Sequence, residues 1–291
     1  MSKIIMGIMF DNTQKPKIVY KYYSWDQRFD SKRLNGYVYY SSPLNFNDKL
    51  DCNLPVDNIP SNVDMIHLAK IVKESCSCED EYVSFFNQVK NNNPEALERL
   101  YHRQRENLGI LCLSDTPDNP VLWAHYAHNN GFIVAYDREE LIRCSKKALK
   151  NIRKEVDLDK RVEDGWVNYV DCTTDSRKLI FSRRNDSIDK YWVKHKSWES
   201  EKEYRIGISL GGNMEVYAGG AVREIILGCN PMLSDYIHCL QLLKNKEVMI
   251  RIVNIHGGKY NIEDISCYNG QFEEYIVRHN KQCQLLEPKP Y

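Results

Sequence analysis

Two carboxylates and a guanidinium stand at alternate positions in Trp198-x-x-Glu201-x-Glu203-x-Arg205. On an extended strand this spacing puts all three side chains on one face, with the carboxylates about 7 Å apart. A fixed carboxylate such as Glu203 can stabilise developing positive charge, and Glu201 beside it can receive or orient an incoming nucleophile. Arg205 can hold a phosphate through its planar fork. The same alternation also describes the polar face of an exposed strand, where ion pairs contribute little.

Three other patches carry usable groups. Lys21 sits between Tyr20 and Tyr22, and Ser41-Ser42-Pro43 leads into Phe46-Asn47-Asp48. Asn47 and Asp48 either tie this loop together as Asx turns or place Asn47 near a ligand, with Asp48 orienting Lys21 or Arg205. Trp123 and Tyr126 share a helix face, suited to core packing or to stacking on a nucleotide. His125 and His128 share another face and read as a solvated surface, because no third ligand accompanies them. Trp198 reads as a core aromatic, with Glu201 bonded to its indole or to a backbone amide.

The elements that must position these groups follow from patterning. Strands are expected over Lys17 to Tyr23 and Tyr37 to Tyr40, around Leu34-Asn35-Gly36. Helical periodicity runs from about Asn62 to Asn107, with Pro94 placed to open a helix. A strand at Gly109 to Ser114, a short helix from Pro120 to about His128 and a strand at Phe132 to Tyr136 come next, with Asn129-Asn130-Gly131 as the helix stop. An amphipathic stretch covers Arg138 to Lys154, a strand Trp166 to Cys172 and a helix Asp186 to Lys194. Strands then return at Glu203 to Leu210, Val222 to Leu227 and Val248 to Val253, with a helix over Leu233 to Leu243. The expected fold is a single α+β domain over 1–291 with mixed, mostly antiparallel sheets, a helical insert at about 55–108 and a polar, fraying tail at about 270–291.

Composition excludes several classes. Forty basic residues balance forty acidic ones, so no global field draws the chain to nucleic acid or to an anionic membrane. Apolar runs are too short to span a bilayer and the N-terminus lacks a signal-peptide pattern, so the cytoplasm is the expected location. Ten cysteines occur without a CxxC pair, which reads as reduced thiols and no metal site.

Taken in order, Tyr20-Lys21-Tyr22, the Ser41 to Asp48 loop, Leu113-Ser114, Trp123-x-x-Tyr126, Gly131-Phe132, Trp198 to Arg205 and Glu224 to Gly228 resemble the bacterial domain-of-unknown-function 2971 family, over roughly residues 18 to 230. The family's loop continues Phe-Asn-Asp-Pro-Phe, whereas Lys49-Leu50 follows Asp48 here, keeping an apolar step without the proline. More distantly the layout looks like that of ADP-ribosyltransferases. That resemblance implies a split-sheet core and NAD as co-substrate. It also implies an NAD grip at Lys21 or Tyr22, where the superfamily has arginine or histidine, and a hydroxyl turn at Ser41 and Ser42. Glu203 would be the catalytic glutamate and Glu201-x-Glu203 a carboxylate pair, with Asn47, Trp123, Tyr126 and Arg205 around the nucleotide. The implied function is transfer of ADP-ribose to a macromolecular acceptor, protein or nucleic acid, as a toxin or anti-phage effector. The alternatives are a non-catalytic binding module and a metal-dependent nuclease using Asp48, Glu201, Glu203 and Lys21. Oligomeric state is left open.

Overall fold

The computed structural model describes residues 14–52, 65–152, 158, 161–170, 191–209, 211–229, 231–232, 234–235, 237, 239, 248–257 and 259–264. It is an α+β fold built on one mixed, mostly antiparallel sheet of eight strands. The strands are β1 (Ile18–Tyr23), β2 (Tyr37–Tyr40), β3 (Leu108–Ser114), β4 (Phe132–Asp137), β5 (Val162–Trp166), β6 (Asn168–Val170), β7 (Val193–His195), β8 (Glu203–Ser209), β9 (Met214–Tyr217), β10 (Val222–Leu227), β11 (Met249–His256) and β12 (Lys259–Asp264). The large sheet runs β12-β11-β10-β4-β1-β3-β8-β5, while β2-β9 and β6-β7 form small two-stranded sheets. Among the described residues only the β10–β11 pairing in the large sheet is parallel.

The central strands are buried on both faces, so their sequences read as nearly continuous apolar runs. Phe132, Val134 and Tyr136 face one core together with Leu141 and Leu149 of helix α6 (Arg138–Ile152), where the second strand-to-sheet contact is made by Ile225 and Leu227. Ile133 and Ile226 point to the opposite face, against Leu122, Trp123 and Ala127 in and beside helix α5 (Pro120–Tyr126). The period-2 alternation thus covers the sheet with a helix on each side. Gly131 makes one close approach possible, because a Cβ there would stand 2.0 Å from the Tyr23 carbonyl oxygen.

The sheet is pinched at its middle. β1 pairs with β4 through six residues but with β3 only at Tyr20 and Ser114. Beyond that pair the two strand edges part. The short β2-β9 sheet swings over the gap, and Ser41 is held there by reciprocal backbone bonds with Ile110 of 3.0 and 2.8 Å.

The expected insert consists of α2 (Met65–Glu74), α3 (Glu79–Lys90) and α4 (Pro94–Asn107), around their own core of Leu68, Val72, Phe85, Val89, Leu97 and Leu100. Asn93 caps α4 through the Ala96 N–H, with Pro94 at the first helical position. A five-residue helix α1 (Asp30–Leu34) and the strand β12 are additions to the sequence reading.

Several boundaries differ from expectation. Helix α5 stops at Tyr126 because His128 and Asn129 adopt left-handed φ values of 48° and 60°. The expected strand from Trp166 breaks at Val167, where backbone pairing switches from Glu203 to Trp192. Val193–His195 is a strand paired with β6 rather than a helix end. Residues 186–190, most of 233–243, Cys172 and the tail after 264 fall outside the described residues. Leu50 is 61% exposed, so it is not the apolar step expected after Asp48.

Candidate functional site

A cleft of about 450 Å³ opens where β1 and β3 separate. Three consecutive residues of β1, Tyr20, Lys21 and Tyr22, line it, as do Cys112, Leu113 and Ser114 of β3. Successive side chains on a strand point to opposite faces, so the cleft runs along the parted strand edges. Lys21 Nζ spans the gap and donates to the Cys112 carbonyl at 2.8 Å. Among the described residues Lys21 forms no ion pair with a carboxylate, so its charge is available to the cleft.

The loop after β2 supplies Ser41, Asn45, Phe46, Asn47 and Asp51, and α5 supplies His125 and Tyr126. Asp48 does not reach Lys21 or Arg205. It accepts the Leu50 N–H at 2.9 Å, closing the Asx turn that carries the chain to Asp51.

Asp51, Lys194, Glu201, Glu203 and Arg205 form a buried ion cluster at the inner end of the cleft. Arg205, with no exposed surface, is fully engaged below it. Its Nε donates to Glu203 Oε1 at 2.6 Å, its Nη2 to Asp51 Oδ2 at 2.6 Å and to Glu203 Oε2 at 3.0 Å, and its Nη1 to the Tyr191 carbonyl at 2.5 Å. Lys194 Nζ lies 2.6 Å from Glu201 Oε2, 3.1 Å from Glu203 Oε2 and 3.7 Å from Asp51 Oδ2. The Trp198 ring covers the same ammonium at 4.8 Å.

These contacts set the protonation states. Burial alone raises the Glu203 carboxyl, but Arg205 and then Lys194 outweigh it and bring the value down to about 2. Burial works against the Lys194 charge, and Glu203, Glu201 and Asp51 overcome it, holding the ammonium well above the ordinary lysine value. Burial, reinforced by Glu203, pushes the Cys112 thiol up, so this cleft-lining sulfur stays neutral and unreactive.

The two glutamates arrive differently from the strand expected of them. Glu201 ends a 3₁₀ turn (Lys196–Glu201), and Lys202 then takes a left-handed conformation with φ 48° before β8 begins at Glu203. The αL residue redirects the chain so that both carboxylates meet Lys194. Glu203 accepts three bonds from its cations, whereas each oxygen of Glu201 accepts one, Oε1 from the Tyr126 hydroxyl at 2.8 Å and Oε2 from Lys194. Glu201 therefore keeps acceptor capacity for a ligand.

Lys21, Tyr22, Ser41, Asn47, Tyr126, Glu201 and Glu203 are thus brought to one cleft. Trp123, Ser42 and Arg205 are not. Trp123 is wholly buried in the core under the sheet, its indole N–H donating to the Pro117 carbonyl at 2.8 Å. Ser42 turns inward, donating to the Arg105 carbonyl and accepting the Leu44 N–H. Arg205 has spent its donors on Asp51, Glu203 and Tyr191. Sequence reasoning missed Asp51 and Lys194. The available signal for Lys194 was an ionisable residue closing the apolar run Tyr191-Trp192-Val193, a setting in which a charge must be paired.

Among the described residues no three His, Cys, Asp or Glu side chains are disposed to hold a metal ion. Where Asp51, Glu201 and Glu203 approach one another, Lys194 Nζ already fills the space between them. Among those residues, too, no helix is long and apolar enough to cross a membrane.

Fold and site together define an α+β protein with an aromatic-walled cleft where β1 and β3 part. Residues 122–206 match the family described as Protein of unknown function (DUF2971). That stretch holds the Trp123-x-x-Tyr126 and Trp198 to Arg205 motifs and every member of the ion cluster except Asp51. No curated protein and no solved structure matches the chain.

Proposed function

We propose that the cleft binds NAD and that the chain is an ADP-ribosyltransferase-like, NAD-consuming enzyme of the cytoplasm. The observation that carries this reading is convergence: Lys21, Ser41, Asn47, Tyr126 and Glu201, from segments spread over 180 positions, line one cleft of ligand size. The lining suits a dinucleotide. Among the described residues Lys21 is a cation without a carboxylate partner, able to face a phosphate. Tyr20, Tyr22, Tyr39 and Phe46 offer aromatic faces, and Ser41, Asn45 and Asn47 offer donors and acceptors for ribose hydroxyls.

Glu201 is the carboxylate assigned to the reacting ribose, and Glu203 supports it from the ion cluster. In the reaction the bond between ribose C1′ and the nicotinamide nitrogen breaks, its electron pair leaving with the nicotinamide. The Glu201 carboxylate, shielded from bulk water, meets the positive charge that grows on the sugar. An acceptor nucleophile, from protein, nucleic acid or water, then forms the new bond at C1′ and loses its proton. The nuclease reading is weaker because Lys194 holds the position a divalent cation would need.

The test is incubation of purified protein with labelled NAD, alone and with cell extract, comparing wild type with Glu201→Gln and Lys21→Met. Nicotinamide release that disappears in Glu201→Gln, with the circular dichroism spectrum unchanged, is the expected result. Binding without release points to a binding module. Absence of both, or release equal in Glu201→Gln, overturns the proposal. As NAD depletion is the chemistry of a toxin or anti-phage effector, induced expression should arrest growth in wild type and not in Glu201→Gln.

A further inference from the structure

We infer that Lys194 is the positioning residue of this cleft, a built-in cation whose charge holds the Glu201 carboxylate in place for the ligand. The inference rests on the NAD reading for what Glu201 does and on geometry alone for what Lys194 does. Three observations carry it. Lys194 Nζ lies within 4 Å of three carboxylates from two segments, at 2.6 Å from Glu201, 3.1 Å from Glu203 and 3.7 Å from Asp51. The Trp198 face closes a further side at 4.8 Å. Glu201 has one other fixed contact, the Tyr126 hydroxyl at 2.8 Å, a neutral donor on α5. Without the ammonium, Glu201 faces Glu203 and Asp51 across a buried space where only Arg205 remains positive, and like-charge repulsion turns it away.

A packing role and a charge role separate cleanly. Lys194→Ala removes both the stem and the charge, and small solutes can refill the space. Propylammonium restores both, whereas n-propanol has nearly the same size and no charge. Thermal midpoints of ligand-free Lys194→Ala are measured at pH 7 with either solute, and NAD affinity by calorimetry under the same conditions. Expected is a loss of NAD affinity of about tenfold or more in Lys194→Ala, as for a broken charge-assisted hydrogen bond. Propylammonium should recover both midpoint and affinity, n-propanol neither, and Lys194→Arg should keep both. If Lys194→Ala folds only in the presence of amine, refolding yield in amine against alcohol is the same comparison.

Equal rescue by the alcohol, or no rescue by either solute, overturns the inference. Should wild type not bind NAD, the proposed function fails by itself. The midpoint comparison still decides whether Lys194 acts through its charge.

Discussion

Substituting Glu203→Gln removes one charge from the ion cluster and keeps the shape of the side chain. In the folded protein Arg205 and Lys194 bring the Glu203 carboxyl from the usual 4.5 down to about 2. A carboxyl depressed by folding contributes stability above its unfolded value, and loses that contribution as pH falls through its folded value. The depression corresponds to about 3 kcal/mol at pH 7 and roughly half of that at pH 3. Breaking a buried ion pair costs a similar amount, about 3–5 kcal/mol. For a chain of 291 residues the unfolding entropy is roughly 0.6 kcal/mol/K, so the midpoint at pH 7 should fall by about 5 °C. Urea denaturation of both proteins at pH 7, 5, 4 and 3 measures the gap directly. It should be widest at pH 7 and 5 and about half as large at pH 3. A gap below about 1 kcal/mol at pH 7, or one that stays constant down to pH 3, refutes the account of Glu203 as an ion-cluster member.

Other outcomes follow from single contacts. Trp123→Ala should cost about 3–5 kcal/mol in urea denaturation, because it empties a fully buried site under the sheet rather than a stacking platform in the cleft. Lys202→Gly should raise stability by about 0.5–1 kcal/mol, since glycine takes the left-handed φ of 48° without steric strain, and thermal unfolding checks it. Gly131→Ala should destabilise strongly and raise amide exchange at the start of β4 and the end of β1, because the added Cβ meets the Tyr23 carbonyl oxygen at 2.0 Å.

Much of the fold was legible because local chemistry and tertiary setting agree. β4 is a clear strand by composition and lies centrally in the sheet, and α4 begins at the Asn93-Pro94 cap that marks a helix start. Legibility failed where long-range pairing decides. Nothing local in Val167-Asn168 shows that the backbone leaves Glu203 for Trp192, and β12 exists because β11 offers it an edge. The split between β1 and β3 is also nonlocal. β1 keeps six pairs with β4 on one edge and a single pair with β3 on the other, a difference that has no signature in either strand.

The site shows the same division more sharply. Residue types were legible, and Lys21, Ser41, Asn47, Tyr126 and Glu201 do share a cleft, but their roles depend on partners that spacing cannot show. Alternation put Glu201, Glu203 and Arg205 on one strand face, as equivalent polar groups. The left-handed Lys202 breaks that equivalence. Arg205 lies beneath the cleft, Glu203 accepts three bonds from cationic groups, and Glu201 meets a single cation and a tyrosine. The least constrained carboxylate is therefore the one outside the strand. A cluster with three carboxylates and two cations has one negative charge in excess. Ligand chemistry that develops positive charge beside Glu201 is the chemistry such an excess favours.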